Sequence, residues 1–289
     1  MKQYIFIKAA VAGVLATVVG YRIVRRQKIN DGVSKDNIAK PSENVKVSVI
    51  TVCYNSEDSI DKTIESVLSQ TYSNIEYLII DGGSTDSTVD RVRSYVGEFA
   101  DRGWNLNVVS EADQGIYDAM NKGIEKTSGI LVGFINAGDW YEIDAIETAV
   151  YEYEKEPYDY FYADINLVKD DGTVIVKHSK SDVLVTSRHW NHPSSFVAKS
   201  LYDRIGRFRN HGIHDDFEFF LRARKSKAKM RIINKVIANF RTGGVSNQKS
   251  IGKAIERIKD RYSCYKDNGY SSIYLVECVV IEIAKAIIS

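Results

Sequence analysis

Four short polar segments of this sequence each follow directly on an apolar run: Cys53-Tyr54-Asn55-Ser56, Asp81-Gly82-Gly83-Ser84-Thr85-Asp86, Ser110-Glu111-Ala112-Asp113 and Asn136-Ala137-Gly138-Asp139. A fifth, acidic cluster, His214-Asp215-Asp216-Phe217-Glu218, lies further along. Carboxylate oxygens can hold a hard divalent cation, and a carboxylate can take the proton of a hydroxyl group. Asp and Asn also favour turns for local reasons, so any one of these segments is weak evidence of a site. Four in register on one edge of a sheet are much stronger.

The elements that would place them there are legible from periodicity. Residues 47–53 are β-branched and apolar, as in a strand buried on both faces, and Ile60, Ile64, Val67 and Leu68 then recur at helical spacing. The pattern repeats. Residues 75–80 are strand-like, Ser84, Thr85 and Asp86 offer N-caps, and Val89, Val92, Val96 and Phe99 form an apolar stripe. Residues 106–109 and 130–135 read as further strands, with a helix over 116–127 between them. Such alternation predicts an α/β fold with a mostly parallel sheet and helices on both faces. Ligands bind such sheets beyond the carboxyl ends of the strands.

The ends of the chain differ from this middle. Residues 9–21 are apolar apart from Thr17, with Lys2 and Lys8 before and Arg22, Arg25, Arg26 and Lys28 after. Counted over 4–24 with Lys8 snorkelling, the run suffices to span an apolar layer of roughly 30 Å. The heavier basic flank follows the run, so residues 1–26 are read as a transmembrane anchor with the remainder on the cytoplasmic face. A cleaved signal peptide is the rival reading. Residues 27–46 read as a polar linker, 47–248 as the folded domain and 249–289 as a C-terminal helical extension. Residues 271–289 suit a helix docked on the domain, one lying in the membrane interface or a homo-oligomer contact, and docking is the expectation.

Over 289 residues, 39 basic and 38 acidic side chains leave a formal charge of +1, so no whole-chain field selects nucleic acid. Cys53, Cys264 and Cys278 form no CxxC pair, and their odd number argues against a disulfide framework. A nucleotide-dependent redox enzyme is a weak reading, because no GxGxxG follows the first strand.

The stretches VSVITVCYNSEDSIDKTIESVLSQTY, IEYLIIDGGSTDST, SEADQGIYDAMNKGIEKTSG and GFINAGDW resemble the inverting glycosyltransferases of family 2, which have the Rossmann-like GT-A fold. Later segments, HWNHPSSFVAKSLYDRIGRF, HDDFEFFLRA and TGGVS, resemble the acceptor half of the branch that builds bacterial polysaccharides. The resemblance implies a nucleotide-sugar donor, with a UDP-sugar favoured, and a saccharide or lipid-linked acceptor. Asp81 would bind the base, with Gly82 beside it and Thr51, Cys53, Tyr54 and Asn55 packing alongside. Asp113 would contact the ribose or donor sugar, Lys122 the diphosphate and Asn136 the donor, while Asp118 and Asn121, near one face with Lys122, would hold it or touch the donor sugar. Where the family carries a DxD-type motif, Asn136-Ala137-Gly138-Asp139 retains the last carboxylate, so Asp139 is the candidate ligand of Mg²⁺ or Mn²⁺. Asp216 aligns with the catalytic base, with Asp215 as runner-up, and His192 would lie near the acceptor. Gly243-Gly244-Val245-Ser246 would cover the diphosphate with Arg241 as a phosphate partner.

Each assignment has a plainer rival. Asp139 can cap the following element, Asp81 the Gly82-Gly83 turn, Lys122 can sit on a solvated helix face, and Asp215 and Asp216 can favour a helix N-terminus through its dipole. The rival to an enzyme as a whole is a membrane-tethered binding or scaffold protein of the same fold.

Overall fold

The computed structural model describes residues 40–181, 185–242 and 251–288. The expected anchor, most of the linker and the loop at Gly243–Ser246 lie outside them. Among the described residues no helix is long and apolar enough to cross a membrane. The chain divides into two units: Lys40–Gln248 is one, and residues from Lys249 onward belong to the other.

The first unit is built on four parallel strands. β1 (Val47–Cys53) and β2 (Ile75–Asp81) are buried along their whole length, β3 (Leu106–Ser110) pairs with β2, and β4 (Leu131–Phe134) pairs with β1 on its other side. Alternate side chains of β1 serve opposite faces. Val47, Val49 and Cys53 share a core with Ile60, Ile64 and Val67 of helix α1 (Ile60–Leu68), and with Val92 and Phe99. The latter two come from helices α2 (Thr88–Ser94) and α3 (Val96–Asp101), so the single expected stripe is broken at Tyr95. Ile50 points the other way, onto helix α4 (Ile116–Lys126). There a Cβ on Gly123 would lie 2.7 Å from the Ile50 Cγ2, so only glycine lets the helix approach this closely. Each buried Val or Ile contributes about 1.5–3 kcal/mol, which makes this two-faced burial the main support of the strand ends.

Beyond β4 the sheet departs from expectation. β5 (Trp140–Tyr141) leads to helix α5 (Ala145–Lys155) and then β6 (Tyr160–Val168), which turns at Gly172, φ 80°, into β7 (Val174–Lys177). β8 (Phe196–Ala198) runs antiparallel to both β4 and β6. Helices α6 (Lys199–Ile205) and α7 (Asp215–Lys225) follow, and β9 (Met230–Arg241) lies parallel to β6 and antiparallel to β5. Of the eight strand pairings among the described residues four are antiparallel, so the sheet is mixed and not mostly parallel. The reason is connection length. A tight turn such as that between β6 and β7 can only return antiparallel, whereas parallel neighbours need a crossover.

In the second unit the described residues form two helices, α8 (Ile251–Asp267) and α9 (Tyr274–Ile288). Buried Glu282 of α9 is paired with Arg257 at 2.8 Å and Arg261 at 3.4 Å, and Tyr265 stacks on Tyr274 with ring centroids 4.3 Å apart.

Candidate active site

Strand register brings the first polar segments together. Cys53 pairs with Asp81 and Asp81 with Ser110, so the ends of β1, β2 and β3 are level. The buried Asp81 carboxylate accepts hydrogen bonds from the Ser110 hydroxyl at 2.6 Å, the Ser84 and Gly83 N–H groups at 3.0 and 3.2 Å, and the Ser84 hydroxyl. Burial works against its charge, but the donors of Ser110, Ser84 and Gly83 prevail and hold the carboxyl below its usual range. The Cys53 thiol lies 3.7 Å from it, its pKa pushed up first by burial and then by the Asp81 charge. Thr51 is wholly buried; its hydroxyl donates to the Ile135 carbonyl at 2.7 Å and lies 2.8 Å from the Tyr77 hydroxyl. It ties β1 to the segment after β4 and faces no open space. Tyr54 is 60% exposed above this edge. Asn55, in left-handed backbone with φ 45°, accepts the Thr85 N–H at 2.9 Å and locks the first loop to the second.

Gly82 and Asp113 form a matched pair. A Cβ at Gly82 would come within 2.5 Å of the Asp113 carboxylate, whose other oxygen accepts the Gly115 N–H at 2.9 Å. Lys122 bonds the Ala112 carbonyl at 3.0 Å and pairs with Glu111 at 3.2 Å and Asp118 at 3.4 Å. Asp118 in turn accepts the Gln114 N–H at 3.0 Å. These two side chains thus brace the 111–118 segment.

The Asn136–Asp139 turn is held by α1. Thr63 donates to the Asp139 carbonyl at 2.7 Å and accepts the Gly138 N–H at 3.0 Å, with Gly138 at φ 97°. One Asp139 carboxylate oxygen accepts the Arg241 backbone N–H at 2.9 Å. Burial pushes this carboxyl up to about 7, and that single hydrogen bond offsets little of it. Nearby, the buried Asn136 side-chain oxygen has no hydrogen-bond partner among the described residues. No group of three or more His, Cys, Asp or Glu among the described residues could hold a metal alone. The turn offers hard oxygens, one charged and one carbonyl. That set fits Mg²⁺ or Mn²⁺ completing its shell with ligand phosphate and water.

The acidic cluster separates into two roles. Asp215 is buried and accepts the His211 and Gly212 N–H groups at 2.7 and 3.0 Å, which fixes the loop before α7. Asp216 is half-buried; one oxygen takes the Phe217 N–H at 2.7 Å and lies 3.0 Å from the Tyr117 hydroxyl, while no described residue bonds the other. His192 stacks on Phe134 with centroids 5.7 Å apart, and its Nε2 is buried with no partner among the described residues. Burial lowers its pKa and the charge of Asp216 only partly restores it.

Two groups, Tyr117 and Lys62, escaped the sequence reading, and Asn121, grouped there with Asp118 and Lys122, has a different partner. Tyr117 and Asn121 on α4 reach the second half of the domain, Tyr117 at Asp216 and Asn121 by two hydrogen bonds to the Phe208 backbone, 2.8 and 3.1 Å. Lys62 on α1 has Asp58 and Glu65 at helical neighbour positions, which suggests a solvated ion pair. Its ammonium instead lies 3.1 Å from the Trp140 ring centroid. No local signal marks such long-range contacts.

Residues 48–229 match the model of the family described as Glycosyl transferase family 2. The chain is 29% identical over 205 residues to a PGL/p-HBAD biosynthesis glycosyltransferase of Mycobacterium bovis, a match covering 69% of this chain and 78% of that one. Among solved structures it is similar to S. aureus TarS 1-349 in complex with UDP-GlcNAc, with a TM-score of 0.62, 17% identity and coverage of 83% and 72%. It spans 43% of the longer TarS chain. It is also similar to the mannosyltransferase PcManGT of Pyrobaculum calidifontis in complex with GDP-Man and Mn²⁺, with a TM-score of 0.61, 15% identity and coverage of 96% and 79%. These two structural likenesses bear on the GT-A-like fold, while the family match over most of the sheet bears on the chemistry. The chain belongs to glycosyl transferase family 2 and is a glycosyltransferase.

Proposed function

We propose that this enzyme moves a sugar, with inversion, from a nucleotide-sugar, a UDP-sugar being favoured, to a saccharide or lipid-linked acceptor in cell-surface polysaccharide synthesis. The observation that carries the reading is the contrast between its acids: Asp215 is spent on backbone donors, whereas Asp216 keeps one oxygen unbonded by described residues. Single-displacement inversion needs one such base, on the face opposite the leaving group. Tyr117 and the Phe217 N–H hold one Asp216 oxygen, which directs the other toward the acceptor hydroxyl.

The donor would lie along the ends of β1, β2 and β4. Exposed Tyr54 offers a face for the base beside the satisfied edge at Asp81, and Asp113, set by Gly82, meets the ribose or sugar. The diphosphate would reach Asp139 and Asn136. Mg²⁺ or Mn²⁺ bound there would neutralise the departing diphosphate as a Lewis acid. The UDP-GlcNAc complex of TarS supports a UDP-sugar, and the GDP-Man and Mn²⁺ complex of PcManGT supports the metal. The apolar run 4–24 with its following basic flank supports attachment at the cytoplasmic face of a membrane, where a lipid-linked acceptor is available.

The test is donor turnover by the purified chain with UDP-, GDP- and dTDP-sugars, in Mn²⁺ or EDTA. Metal-dependent release of one nucleotide is the expected result. Absence of both turnover and nucleotide binding by calorimetry would overturn the reading in favour of a scaffold.

A further inference from the structure

Lys62 is a cation held in place without a counter-charge. Its ammonium sits on the Trp140 ring, 3.1 Å from the centroid, and no described carboxylate pairs with it. Trp140 directly follows Asp139, and the Asp139 carboxylate is bonded by the Arg241 backbone. Lys62, Asp139 and Arg241 therefore surround one turn. Arg241 is close enough to depress the Lys62 pKa by repulsion, after burial, and its own ion pair is an exposed 3.4 Å contact with Asp170. Exposed pairs of that kind are worth about 0–1 kcal/mol, so the Arg241 charge remains largely available. Lys62 and Arg241 thus flank the turn that carries Asp139, Lys62 through the Trp140 ring and Arg241 through its backbone N–H. An aromatic platform holds an ammonium in place and keeps it partly dehydrated. Such a charge acts on an anion more strongly than a solvated one does.

We propose that Lys62 is a diphosphate-binding residue that contacts the β-phosphate of the nucleotide donor and stabilises the nucleoside diphosphate as it leaves. This rests on the glycosyl-transfer reading above and adds a residue of α1 to it. Lysine suits the task as a compact point charge, and Arg241 shares the load from β9. In the transfer, the bond between the anomeric carbon and the β-phosphate oxygen breaks, that oxygen keeps the electron pair, and the Lys62 ammonium faces the charge it gains. No proton needs to move at Lys62.

The experiment is calorimetric binding of UDP, UMP, GDP and GMP to the full-length wild type and to Lys62→Met and Lys62→Arg, each with Mn²⁺ and with EDTA. Wild type should prefer the diphosphate of one base. Lys62→Met should lose about tenfold or more of the affinity for that diphosphate and less than about twofold for the monophosphate, in both buffers, as expected for one charge-assisted contact. Lys62→Arg should recover most of the loss, and the thermal midpoint should not move. An unchanged diphosphate-to-monophosphate ratio in Lys62→Met would overturn the assignment while leaving the enzyme reading intact. Failure of the wild type to bind any of the four nucleotides would overturn the UDP-sugar reading above and this one with it.

Discussion

Glu76 and Asp139 are acidic residues of nearly equal solvent exposure, 8% and 6%, at opposite ends of the parallel strands. At the amino end, Glu76 receives the Ser48 hydroxyl, the Ser128 hydroxyl at 2.7 Å, the Ser128 and Gly129 N–H groups, and Lys46 at 3.0 Å. Burial opposes its charge, yet the Ser48 and Ser128 donors override it and hold the carboxyl down at about 2. At the carboxyl end, Asp139 has one backbone donor, and burial takes it up to about 7. More aimed donors at Glu76 and deeper burial of the Asp139 carboxylate together separate the two. A satisfied buried carboxylate is a structural fastening. One left short of donors is an acceptor for a cation the fold itself does not supply.

That contrast can be broken at either end. The largest effect expected is at the functional end: Asp216→Asn should cut turnover by about 10²–10⁴-fold, as loss of a general base does. Donor affinity and thermal midpoint should hold; an equal fall in donor affinity would move Asp216 out of the base role. At the structural end, Glu76→Ala should cost about 2–4 kcal/mol of stability in chemical denaturation, through a lost charge-assisted network and unpaired buried donors. Turnover per folded molecule should be retained.

The two acids also give opposite pH dependences. The folded-state pKa of Glu76 is depressed, so its contribution is present above about 4.5 and is lost as pH falls from there through about 2. The folded-state pKa of Asp139 is raised, so the metal-free protein binds the extra proton and loses stability as pH rises from about 4 through 7. Asp139→Asn should therefore flatten that decline and stabilise the metal-free protein at pH 8 by about 1–2 kcal/mol, since an amide avoids the cost of the buried charge. Mn²⁺ must displace the proton, so its affinity should fall about tenfold per unit below pH 7. A pH-independent Mn²⁺ affinity would place the ion elsewhere. The smallest effect is at Gly82→Ala. The new Cβ would displace the Asp113 carboxylate and raise the donor dissociation constant about three- to tenfold, as a misplaced ligand contact does.

Much of this architecture is open to reading in one dimension. Burial on both faces of β1 and β2 produces continuous apolar runs, and a helix packed on one face produces a 3.6-residue stripe, so the β–α alternation up to β4 is written locally. The polar segments after each strand are legible for the same reason, and so is the family resemblance they carry. After residue 135 the apolar pattern no longer tells which strands pair. β8 is three residues long, and β6 and β9 meet across some 70 residues of chain, so their pairing has no local trace.

Which carboxylate does what was decided only in three dimensions. The sequence places Asp215 and Asp216 side by side and gives Asp81 and Asp139 the same position after a strand. The fold brings Ser84 and Ser110 to Asp81, the 211–212 backbone to Asp215, and one N–H from β9 to Asp139. It sets Tyr117 against Asp216 and carries Lys62 from its helical neighbours to Trp140. Element type follows from the period of burial along the chain. The state of a charge follows from which donors and cations surround it, and those arrive from distant parts of the sequence.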